Sequence, residues 1–168
     1  MDRCAADWPT EGPALPPADR LLLWAIRVWV IGLKRRLDIE AETRAACARF
    51  GVPDAVELVD GLMSILACGA TQVLCIECVC HPQLTDDEAR LLRAAALHQA
   101  NRGFEARFLL RAMLTREASR DAGEILDRIG LVFAARGLRL SRCAADTERF
   151  AFGGDSEPLP PDIRPTLH

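Results

Sequence analysis

Residues 17–36 read PADRLLLWAIRVWVIGLKRR, and the interpretation of this stretch decides the fold. Its apolar run, Leu21 to Leu33, is thirteen residues long and carries Arg27 inside it. A membrane-spanning helix needs about 20 apolar residues, so the run is too short and too interrupted to cross a bilayer. Leu22, Ile26, Trp29, Val30 and Leu33 recur at spacings of three and four, the period of an α-helix. Pro17 and Asp19 suit its first turn, and Lys34, Arg35 and Arg36 suit the negative end of its dipole. Trp24, Trp29 and the basic end also fit a helix lying on a membrane surface. Apolar residues nearly encircle it, however, as the central helix of a bundle requires, and the core reading is preferred.

Working outward, the same periodicity returns five times. Asp38 is placed to cap a second helix that turns Ile39, Ala46, Cys47 and Phe50 inward and stops at Gly51 and Pro53. A third runs from about Pro53 to Cys68, with Val56, Val59, Leu62, Met63 and Leu66 as its stripe. Thr85-Asp86-Asp87-Glu88 is a capping-box sequence and opens a fourth helix reaching about Asn101. Gly103 separates it from a fifth, Phe104 to Arg116, carrying Phe108, Ala112 and Met113. Ser119 is expected to cap a sixth, which buries Ile125, Leu126, Ile129, Val132 and Phe133 and ends at Gly137. The expectation is an all-α protein, a single helical bundle over residues 18–140. Flanking it are Pro-rich and Gly-rich tails, 1–17 and 141–168, expected to be extended and mobile.

Composition narrows the function classes without naming one. The chain has 168 residues, is half hydrophobic and 27% charged, and contains no Tyr. Its net charge of −3, with no concentrated basic face, makes nucleic acid an unexpected partner. No apolar run lies in residues 1–17, so the expected compartment is the cytoplasm, where thiols stay reduced.

Seven cysteines then argue for thiols or metal ligands rather than disulfides. Four of them, Cys68, Cys75, Cys78 and Cys80, fall within thirteen residues, and His81 follows directly. The segment Thr71 to Cys80, TQVLCIECVC, has no clean helical period and no partner strand, so it reads as a loop of extended backbone. Cys75-x-x-Cys78 is a spacing at which a turn aims two thiolates at one cation, and zinc accepts a tetrahedral set of sulfur and nitrogen. Adjacent Cys80 and His81 point to opposite faces of extended backbone, so one of the two completes the set more easily than both. His98 is a more distant candidate.

From Phe50 to Ala89 there is no Lys or Arg, although the other 128 residues hold all 21, a density that predicts roughly six or seven in this window. An anionic stretch of this kind suits a bound cation and equally suits a buried helix without one. Three readings of the cluster therefore stand side by side. The first is a structural zinc that pins the connection. The second is a set of thiols packed as small hydrophobes. The third is a redox pair, Cys75 and Cys78, or a metal-dependent enzyme. The spacing Cys75-x4-Cys80-His81 is a stretched haem-attachment pattern, which the missing export signal argues against.

Signatures of catalysis are otherwise missing: the chain has no Gly-rich phosphate loop, no G-x-S-x-G elbow and no H-E-x-x-H. Arginines along the last three helices alternate with acids, as on solvated faces. The expectation is a helical interaction or regulatory module that meets a protein partner, or a second copy, through apolar helix faces.

Overall fold

The computed structural model describes residues 15–141, which form six helices. Most of the two expected tails, residues 1–14 and 142–168, lies outside the described residues. Helix α1 spans Pro17–Arg35, α2 Glu40–Arg49, α3 Ala55–Gly69, α4 Asp86–Gln99, α5 Gly103–Arg111 and α6 Arg116–Ala134. Helix α6 packs on α3, α4 and α5, α4 also packs on α5, α2 packs on α3, and α1 lies across α3 and α4. No helix among the described residues is long and apolar enough to cross a membrane.

The first helix behaves as two halves. Eight consecutive residues, Leu21 to Val28, are buried, which is what an all-round apolar sequence requires. Beyond them the helix leaves the core: Trp29 and Val30 are half-buried, and Leu33 is 62% exposed. Arg36 then takes a left-handed conformation, φ 53°, and ends the helix. The chain doubles back so closely that Ile39 lies on Gly32, where an added Cβ would sit 2.8 Å from Ile39 Cγ1. The N-cap of α2 is Ile39 rather than the expected Asp38, which stands one residue earlier and accepts the backbone N–H of Glu40 at 3.1 Å.

The stripe expected of α3 is buried throughout: Val56, Val59, Leu62, Met63 and Leu66. At α4 the capping box is complete, with Thr85 accepting from the Glu88 backbone and Glu88 accepting from the Thr85 backbone. Three expectations need correction. Helix α5 ends at Arg111 rather than Arg116, because the chain turns at Ala112 and Met113 and then pairs, at Leu114, with the chain leaving α3. There Thr71 N–H donates to the Met113 carbonyl at 3.0 Å, and Thr115 N–H donates to the Gly69 carbonyl at 2.9 Å. Consequently Thr115, not Ser119, caps α6, its hydroxyl accepting from Ala118 N–H, and Ser119 is buried. On α5 the inward residues are Ala106 and Leu110; Phe104 and Phe108 face solvent, edge to face at 5.2 Å.

His98, the more distant candidate ligand, lies buried on α4 with its Nε2 unpartnered among the described residues. Its Nδ1 lies 2.6 Å from an Asp127 carboxylate oxygen, and its ring fills the space left by Gly103 and Gly123.

Candidate functional site

Residues 70–85 join α3 to α4 with no regular structure beyond a single bridge between Ala70 and Leu114. Such a segment must find partners for its backbone polar groups if it is to lie against a core. Two buried charged side chains supply them. Arg27, 1% exposed in the middle of α1, and Glu88, fully buried in the first turn of α4, form a two-pronged ion pair. Arg27 Nε donates to Glu88 Oε1 and Nη2 to Oε2, each at 2.7 Å. The guanidinium also donates to the carbonyls of His81 at 2.8 Å and Gln83 at 2.7 Å. The carboxylate in turn accepts the backbone N–H groups of Glu77 and Thr85, both at 3.0 Å.

Neighbouring side chains extend this anchor. Asp87 accepts the Cys75 N–H at 2.9 Å, and the Thr85 hydroxyl donates to the Cys75 carbonyl at 2.6 Å. Five residues of the connection, Cys75, Glu77, His81, Gln83 and Thr85, are thus fastened through main-chain atoms. One of the three readings of the cluster gave this task to a structural zinc; in the structure the side chains of α1 and α4 fasten these main-chain groups.

Fastening the backbone leaves side chains to sort by polarity. Leu74, Ile76 and Val79 turn toward the core, while Cys75, Cys78 and Cys80 are exposed. Cys68 is exposed on the last turn of α3, and half-buried His81 places Nδ1 3.1 Å from the Gln83 carbonyl oxygen. Of the five expected ligands, the structure brings Cys78 and Cys80 side by side, with sulfurs 3.1 Å apart. Among the described residues, no three His, Cys, Asp or Glu side chains converge as a metal site would require. The hydrogen bond with Cys80 is the main cause that holds the Cys78 thiol above its usual pKa. Away from this segment, burial pushes the Cys47 thiol of α2 up to about 11.

The second notable surface lies where α1 leaves the core. A hollow of about 550 Å³ opens between α1, α2 and α3, and a smaller one of about 280 Å³ opens between α1, α3 and the start of the connection. Trp29 and Leu33 line both, forming an apolar ridge between them. Leu37, 50% exposed, and Val73, 96% exposed, continue the apolar surface to either side. The Trp29 indole N–H donates to Asp60 at 2.8 Å, which fixes the ring across the ridge. Arg44 of α2 pairs with Glu40 on its own helix and with Glu57 on α3, each at 2.8 Å, and its bond to Glu57 draws that carboxyl below its ordinary pKa.

No protein family, curated protein or solved structure matches the chain.

Proposed function

We propose that the protein is a helical interaction module that pairs with a second copy of itself through the exposed half of α1. The observation that carries this reading is the ridge of Trp29 and Leu33 between two apolar hollows, continued by Leu37 and Val73. An exposed apolar surface of this kind, rimmed by polar groups, is characteristic of association sites. A two-fold interface uses the same patch twice, so any charges on the patch must be of both signs if they are to complement one another. Lys34 and Arg36 lie at one end of the ridge, and Asp38 and Asp60 lie at the margin of the larger hollow. Antiparallel pairing of two α1 ends would set the cations of each copy against the acids of the other. The exposed free thiols suit a compartment that keeps them reduced, which favours the cytoplasm.

Sedimentation equilibrium of the purified chain tests this reading. A dimer is expected, and Leu33→Asp should return it to a monomer with unchanged helical content, because Leu33 contributes little to the core of one chain. A native chain that stays monomeric at high protein concentration, or a dimer indifferent to Leu33→Asp and Leu37→Asp, would overturn it. In the monomeric case the ridge would be left for a different protein.

A further inference from the structure

We infer that Cys78 and Cys80 form a dithiol modification site that closes to an intramolecular disulfide when a small disulfide such as oxidised glutathione is the oxidant. The inference is independent of self-pairing and replaces the Cys75–Cys78 pair that the C-x-x-C spacing suggests. Its basis is position. The two sulfurs are 3.1 Å apart, so closure to a bond of about 2.05 Å requires a movement of about 1 Å. Both thiols are exposed, which admits the oxidant.

The backbone that carries them is held on three sides. The His81 N–H donates to the Cys78 carbonyl at 3.0 Å, making a tight turn. The His81 carbonyl is held by Arg27, and Val79, between the two cysteines, is only 5% exposed. The thiols therefore meet without a large loss of chain entropy, since the segment is ordered before reaction. Cys75 is tied elsewhere, with its N–H on Asp87 and its carbonyl on Thr85.

The reaction balances as ordinary thiol–disulfide exchange. One thiolate attacks the glutathione disulfide, breaking its S–S bond, forming a mixed disulfide and releasing one glutathione thiol. The second cysteine then attacks the protein sulfur of that mixed disulfide and releases the second glutathione. The two cysteines lose two protons and two electrons, and the oxidant is recovered as two thiols.

The sequence supplies a convenient way to read the result. Trypsin leaves Cys68, Cys75, Cys78 and Cys80 in one peptide, because no Lys or Arg lies between Phe50 and Ala89. Cleavage after Glu77 separates Cys68 and Cys75 from Cys78 and Cys80. The folded full-length chain is treated with oxidised glutathione, remaining thiols are alkylated under denaturing conditions, and a glutamyl endopeptidase digest is weighed. The expected product is the peptide from Cys78 to Glu88, two hydrogens lighter and neither alkylated nor carrying glutathione, whereas Cys68 and Cys75, exposed without a resolving partner, are each recovered alkylated or bearing one glutathione. Cys80→Ser should instead retain one glutathione on Cys78, and Cys75→Ser should close as the native chain does. Stable glutathione on both Cys78 and Cys80, a link from either to Cys68 or Cys75, or full alkylation after treatment would each overturn the inference.

Discussion

The Arg27–Glu88 anchor makes the sharpest demand on the fold, and Glu88→Gln tests it with little change of shape. In the native chain four donors converge on the Glu88 carboxylate: Arg27 Nε, Arg27 Nη2, Glu77 N–H and Thr85 N–H, two on each oxygen. A glutamine offers one oxygen and one amino group, so whichever way it turns, two of these donors face another donor. One of the two belongs to Arg27 in either orientation, and the guanidinium is left in the core without a counter-charge. Breaking a buried pair by removing one partner costs about 3–5 kcal/mol, and the donors orphaned here place this site within that range. Urea unfolding at neutral pH, followed by circular dichroism, gives the stability change directly. Hydrogen exchange locates it, since the Glu77 and Thr85 amides should lose protection before those of α4. Added salt should change the native stability contribution little, because ions cannot screen a pair shielded from solvent. Arg27→Met with Glu88→Gln should lose less than the sum of the two single changes, since the double variant no longer buries a lone charge. A loss below about 1 kcal/mol for Glu88→Gln, with the connection's amides still protected, would refute the reasoning.

Three further outcomes follow from other contacts. A Cβ added at Gly69 would overlap the Ala118 methyl where α3 meets α6, so Gly69→Ala should destabilise by about 1–3 kcal/mol in urea, and Ala118→Gly should restore part of the loss. Burial raises the Asp19 pKa, an effect only partly offset by its bonds from Ser141. Its stabilising contribution is therefore complete below the unfolded value of about 3.9 and is lost as pH rises through the folded value. Asp19→Asn should accordingly gain stability over the native chain at neutral pH and show no gain near pH 3; equal stability at both pH values would contradict this. Cys47, buried with its thiol pushed up to about 11, should be alkylated in the folded protein far more slowly than Cys68, and comparable rates would show that α2 opens readily.

Where local chemistry and burial act together, the fold can be read directly in the sequence. The α3 stripe and the Thr85 capping box are of this kind, since each depends on spacing within one element. Expectations failed where a contact distant in sequence decides. Residues 112–115 have helical neighbours on both sides, yet bonds to Gly69 and Thr71 turn the chain out of the helix here, and α6 starts at Arg116. Phe104 and Phe108 obey a helical period but lie on the solvent side of α5, and period alone does not say which face is buried. The anchor left two separate traces: Arg27 interrupts an apolar run, and Glu88 lies in a forty-residue window without a basic residue. Neither trace names the other, because 61 residues separate the partners and only tertiary packing pairs them.

The anchor also accounts for the placement of the cysteines. A buried ion pair is a poor substitute for well-packed hydrophobic groups if net stability is the only concern. Here it does something that a leucine pair could not: it supplies donors and acceptors to four main-chain groups of an irregular segment. Each of those bonds fixes where the backbone runs, and hence which side chains turn in. Leu74, Ile76 and Val79 take the inward positions, so the thiols of Cys75, Cys78 and Cys80 are left outward. The guanidinium that holds the His81 carbonyl belongs to the same helix as Trp29 and Leu33, two and six residues further along. The dithiol turn and the apolar ridge are therefore mounted on one rigid element, with Arg27 as the covalent and hydrogen-bonded link between them.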